Sequence, residues 1–180
     1  MTRWITSSSD PAWAALFTSF TKSAFRLEGQ QIYDSESERE DFAKFLAGEP
    51  IDPSFFEWAR PKITAQIAAG RHQTTVRVVV EPQTDYTRFE MATYPEFVAM
   101  GEDIRVISVQ AGEWPEGVPR HDYWLFDDRD VWRMHYREDC TFAGAELLEG
   151  EDVIAQHLQW RDTAIALSVP LHDYLASHPN

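Results

Sequence analysis

The sequence predicts an α+β domain, a mainly antiparallel sheet of about five strands with N-terminal helices and a long C-terminal helix packed on it. Three observations predict it. The first seventy residues carry apolar side chains at three-to-four-residue spacing, the period of an amphipathic helix. Thr74–Val80 (TTVRVVV) is β-branched almost throughout, as buried strands are. From Asp103 to Leu148, further short apolar runs are separated by turn-forming residues. The 180 residues show no internal repeat and no dividing linker, so they read as a single domain, 1–180, with a flexible polar arm over 1–10. A chain of this length buries roughly 70% of its unfolded surface and needs no covalent staple.

Asp10 is a good N-cap and Pro11 a good first helical residue, and Trp13, Leu16, Phe17 and Phe20 predict a helix over 11–25. Arg26–Tyr33 alternates weakly and fits a short strand or an extended link. Ser35 with Glu38 forms a capping-box pattern before an acidic helix over 36–47, which Gly48 stops. Pro53 opens a helix over 54–69, with a kink or break expected at Pro61. After the strand at 74–80, residues 84–99 predict a helix interrupted at Pro95, and Asp103–Val109 a strand. Tyr123–Phe126 and Val131–Tyr136 form a hairpin around a polar turn, Phe142–Leu148 is the next strand, and 151–178 is a long helix bent near Pro170.

Sixteen basic against thirty acidic residues give a net charge of −14. A field of that sign repels nucleic-acid phosphate and anionic membrane, while a basic protein partner or a cationic ligand stays compatible with it. The single cysteine, Cys140, permits no intrachain disulfide and suits a reducing, cytoplasmic setting. Neither an apolar leader nor a membrane-length apolar window is evident. Glycine-rich nucleotide loops and nucleophile-elbow motifs are absent, and the six histidines show no i, i+4 pair on a helix, so neither a cofactor nor a metal is expected. The cluster Asp127, Asp128 and Asp130 reads as turn chemistry.

Alternation along Val131–Arg137 sets Trp132, Met134 and Tyr136 against Arg133 and His135. The plain reading turns the first set to the core and the second to water. If helices cover both faces of the sheet, Arg133, His135 and Glu146 instead group beside Trp124, Glu146 sharing a face with Phe142 and Leu148. His135 would then be a general acid/base, Glu146 its orienter and Arg133 a stabiliser of negative charge. The plain alternative is a structural salt-bridge network. Ligand contacts are assigned to Trp124, Arg77, Arg88, Arg105 and Trp160. Arg77 interrupts an apolar strand and needs a carboxylate or a ligand, while Arg88 and Glu90 cannot face each other along a helix.

The segments FRLEGQQIYD (25–34), FLAGEP (45–50), YTRFE (86–90), GEDIRV (101–106), DYWLFDD (122–128), VWRMHY (131–136), FAGAEL (142–147), WRD (160–162) and VPLHDYL (169–175) carry a resemblance. In them the chain resembles an actinobacterial family of uncharacterised domains of about this length. The resemblance implies a gene neighbourhood with helix-turn-helix regulators of the XRE type and carries over no catalytic residue. Arg137–Cys140 departs from the glycine-bearing turn usual there.

Two functions follow as expectations. One is a non-catalytic regulatory or interaction module that binds a protein partner, such as a basic DNA-binding regulator, with or without a small ligand. The other is a cofactor-independent acid/base enzyme acting on a largely apolar small molecule in an aromatic-lined pocket.

Overall fold

The computed structural model describes residues 3–178, and its backbone is organised around one eight-stranded mixed sheet. In chain order the elements are β1 (Trp4–Ile5), α1 (Pro11–Ser19), β2 (Ser23–Glu28), α2 (Arg39–Leu46), a 3-10 turn (Pro53–Phe56) and α3 (Arg60–Ala68). Then come β3 (His72–Glu81), α4 (Asp85–Met100), β4 (Asp103–Gln110), β5 (Tyr123–Phe126), β6 (Asp130–Tyr136) and β7 (Phe142–Leu148). The chain closes with α5 (Glu151–Leu167), β8 (Val169–Pro170) and α6 (Leu171–Ser177). Across the sheet the order is β1-β7-β6-β5-β2-β3-β4-β8.

This corrects the expected five-stranded, mainly antiparallel sheet. β2, β3 and β4 run parallel, with Phe25 opposite Thr74 and Val76 opposite Arg105. Helical crossovers join them, as parallel neighbours require. The decisive difference is β2. Apolar spacing carries the sequence-predicted helix to residue 25, but Phe20 is already extended (φ −64°, ψ 149°) and ends α1. The freed N–H groups of Thr21, Lys22 and Ser23 donate instead to the Asp127 carboxylate at 2.7–3.1 Å, more than 100 residues away in sequence. That contact starts β2 in the middle of the sheet, between β3 and β5. The Asp127 turn therefore also ties a distant strand.

Other elements follow local rules. Asp10 accepts from Ala12 N–H at the start of α1, and Thr84 accepts from Thr87 N–H at the start of α4. α4 runs unbroken through Pro95, which lies on the helix's exposed side where a missing backbone donor costs least. Pro61 sits in the first turn of α3, so the break falls before it. The C-terminal helix ends at Leu167; Val169–Pro170 becomes the edge strand β8, and α6 follows. At the opposite edge the polar arm supplies β1, paired with β7 through Trp4–Glu146 and Ile5–Ala145.

Helices cover both faces of the sheet. α5 packs Ile154, Leu158 and Ala164 on Phe25, Leu27, Val76, Val78 and Leu125. On the other face α1 lays Trp13 and Phe17 over Trp124, Phe126 and Trp132. α4 and α6 cover β3 and β4 through Met91, Tyr94, Leu171 and Tyr174. Outside α4, the segment carrying Phe42, Phe45 and Phe55 packs on Tyr86 and Phe89.

Burial alone would raise the Asp127 carboxyl, but the three backbone donors and the Thr21 hydroxyl outweigh it and hold it below the ordinary value. A lowered folded-state value places its stabilisation above the unfolded aspartate range near ~3.9, with loss as pH falls through the folded value. Asp127→Ala should cost about 2 kcal/mol in urea unfolding at pH 7, the scale of charge-assisted hydrogen bonds. That difference should shrink steadily as the pH is lowered below about 4.

Candidate functional site

The sheet carries two polar centres, one on each face. On the α4 face, Arg77 projects from the middle of β3 and is fully buried. Its Nε and Nη2 donate to Glu90 Oε2 at 2.9 and 2.7 Å, and its Nη1 to the Glu28 and Val78 carbonyls. Tyr94 Oη lies 2.8 Å from Glu28 Oε2 and 3.3 Å from Glu90 Oε1. Glu28 in turn pairs with Arg26 at 2.7 Å, whose guanidinium lies over Trp124. Asp122 closes the network: it accepts from Gly29 N–H at 2.7 Å and from the hydroxyls of Tyr33 and Tyr136 at 2.5 and 3.2 Å. A Cβ at Gly29 would stand 2.8 Å from the Trp114 ring, so any side chain there would have to displace the indole.

Three buried carboxyls, Glu28, Glu90 and Asp122, thus meet two guanidiniums, and burial resolves the surplus. It pushes the Glu90 carboxyl up to about 8 against the pull of Arg77, with Glu28 adding to the rise. It raises Asp122 as well, against the hydrogen bonds from Tyr33 and Gly29. Arg77 has its donors turned to protein oxygens and no exposed atom, so the network ties α4 to the sheet.

The α5 face holds the second centre. Arg133 and Glu146 are register partners on β6 and β7, and Tyr123 pairs with Arg133 from β5. His135 Nε2 and Glu146 Oε2 are 3.0 Å apart, both side chains partly accessible, and Trp4 lies against the imidazole at 4.7 Å. Met134 N–H donates to the Asp122 carbonyl, and the same register continued places His121 beside His135. Above this strand pair α5 contributes His157 and Trp160, whose rings meet His121 at 5.8 and 5.6 Å.

The sequence-nominated residues therefore divide. Arg133, His135 and Glu146 come together, but Arg133 points into solvent. Trp124 lies on the opposite face, packed under Phe17 and parallel to Phe126. Phe142 also parts from Glu146: a register shift between His135 and Tyr136 turns it to the α1 face beside Trp13. Arg77 is enclosed on the α4 face, and Arg88 is exposed on α4 and paired with Asp85. Arg105 binds Ser168 at the end of α5. Trp160 alone of the five nominated ligand contacts reaches the imidazole cluster. Sequence reasoning passed over His121, His157, Arg26, Glu28 and Asp122. The alternation of FRLE, with charges at every second position of a strand, was the available signal for Arg26 and Glu28.

A third feature is an acidic ledge running from α2 to the 3-10 turn. Its cations Arg39 and Lys44 are paired with Asp34 and Glu40. Glu36, Glu49, Asp52 and Glu57 are exposed, together with Leu46 and Trp58 at 53% and 59%. Lys62 sits over the Trp58 ring at the ledge's end.

Residues 11–176 match the family described as Domain of unknown function (DUF6879). The chain belongs to this family. No curated protein matches it. Among solved structures it is similar to TrmBL2, an archaeal chromatin protein, at 6% identity and TM-score 0.50, covering 93% of this chain and 52% of that one. The chain thus spans about half the length of TrmBL2. It is also similar to Nuc, a phospholipase D family member from Salmonella typhimurium, at 10% identity and TM-score 0.54, covering 94% and 97% of the two chains. At such identities the likeness shows the fold alone. Within the described residues of this family member no helix is long and apolar enough to cross a membrane.

Glu90 sets up a test of the buried network. Its raised folded-state value means that the folded chain holds this proton more tightly than the unfolded chain. Its contribution to stability is then greatest below the unfolded glutamate range near ~4.3 and declines as pH rises towards about 8. Glu90→Gln, which keeps the shape and removes the titration, should cost little at pH 7 and flatten that decline. Glu90→Leu strands the Arg77 charge and should cost about 3–5 kcal/mol. Denaturant unfolding between pH 5 and 8 reads both.

Proposed function

We propose that the chain is a non-catalytic interaction module that binds a basic protein partner through the acidic ledge. The carrying observation is the ledge itself: exposed carboxylates flank exposed Leu46 and Trp58, while the two local cations of α2 are already paired. Charge of that sign draws a basic surface in and sets its orientation, and a half-exposed tryptophan offers the apolar anchor such interfaces use. A basic DNA-binding regulator of helix-turn-helix type is the partner that fits the resemblance to an actinobacterial, regulator-linked family. A protein of related fold is described as binding DNA. Here a net charge of −14 opposes phosphate and favours the protein side of a regulatory complex. A cytoplasmic location accords with such a partner.

A second reading, acid/base chemistry on a small apolar molecule, is favoured by the His135–Glu146 contact, with Glu146 orienting the imidazole.

Affinity capture from the native host, with bound proteins identified by mass spectrometry, tests the first reading. The wild-type chain should retain a stoichiometric basic protein that elutes as salt is raised. The combined variant Glu49→Lys, Asp52→Lys, Glu57→Lys should lose it, and Trp58→Ala should weaken it about tenfold or more, as loss of an interface anchor does. No stoichiometric partner, or equal capture by the charge-reversed chain, would sink the proposal.

A further inference from the structure

We infer that His121 and His157 form a two-imidazole site for a nitrogen-preferring divalent transition metal ion such as Zn2+. His157 is 4% exposed, and its Nδ1 lies 2.8 Å from the Val153 carbonyl, to which only a protonated Nδ1 can donate. That bond fixes the tautomer and leaves a lone pair on Nε2, which is buried and has no partner. A backbone carbonyl holding the far nitrogen is the usual second-layer support of a metal-binding histidine. His121 presents a second buried Nε2 that also lacks a partner.

The spacing fits one shared ion. A metal bound 2.0–2.1 Å from each of two imidazole nitrogens holds the ring centres roughly 5–6.5 Å apart, for ligand angles from tetrahedral to linear. The His121 and His157 centres are 5.8 Å apart, inclined at 58°. Both imidazoles reach neutral pH already deprotonated. Burial, then Arg133 and the neighbouring histidines, push His121 down to about 4. Burial lowers His157 too, against the Val153 hydrogen bond. A metal ion therefore displaces no proton there. Arg133 is exposed, so solvent screens its charge. His135 stands next in line on β6, but its Nε2 is held by Glu146. Among the described residues no group of three or more His, Cys, Asp and Glu converges, so the protein would supply two ligands and the remaining positions would fall to water admitted on binding. The two histidines are far apart in sequence, which is why a search for i, i+4 pairs passes over them.

Zn2+ titrated into the EDTA-treated full chain at pH 7, followed by calorimetry, decides the matter. One saturable site per chain is expected, with the Hε1 resonances of His121 and His157 shifting together. His121→Gln should weaken binding about tenfold or more, while His72→Gln and His135→Gln leave it unchanged. His157→Gln repeats the test at the deeper position, and thermal melts without metal establish that each variant folds. No saturable binding, or binding that folded His121→Gln retains within twofold, overturns the inference; the latter outcome assigns the ion to surface carboxylates. Neither result bears on the ledge, whose partner is read in separate experiments.

Discussion

A charged side chain in the buried middle of the longest strand constrains the whole molecule. Arg77 cannot stay in β3 without acceptors for its donors, and the Glu90 carboxyl reaches it from α4 to accept two of its hydrogen bonds. α4 is therefore held across β3 in one orientation, with Tyr94 carried to Glu28 and Phe89 turned to the outer helices. Once α4 lies there, the chain leaving it returns as β4 beside β3 and parallel to it. Glu28 and Arg26 extend the same network to β2, and Asp122 extends it to the start of β5. Two central strands, β2 and β3, and the residue that leads into β5 thus contribute charged groups to one contact set, and their relative placement depends on satisfying it.

Much of this organisation is legible in the sequence where local rules act alone. The β-branched run of β3, the hairpin of β5 and β6, and the starts of the helices behind Asp10 and Thr84 sit close to their predicted places, although α1 ends six residues early and α4 is not interrupted at Pro95. The strand parity of Trp132, Met134 and Tyr136 against Arg133 and His135 also holds, because a period of two needs no tertiary information. What escapes is anything set by a distant partner. β2 begins where Asp127 captures three backbone donors, and nothing near residue 21 announces that. The sheet assignment failed at that point, and the two-residue edge strands β1 and β8 add to the miss, so that a five-stranded antiparallel reading becomes an eight-stranded mixed sheet.

The site residues follow the same division. Trp124 pairs with Trp132, so hairpin register alone sends it to the face away from His135. Phe142 and Glu146 share a parity in sequence, yet the irregularity after His135 separates them. The convergence of His121 with His157 needs α5 docked over β5, a contact between elements joined only through two further strands. The two faces end with different characters. The α4 face spends its charges on internal ties, whereas the α5 face keeps imidazole nitrogens uncommitted.

The sheet's outermost strands, β1 and β8, are two residues long. Each stub ends the hydrogen-bond ladder almost where it begins, and Pro170 in β8 lacks a backbone donor. An incoming extended chain finds too short a template there to add itself to the sheet. An eight-stranded sheet is in this way guarded against polymerising edge to edge, which leaves association to its side-chain surfaces.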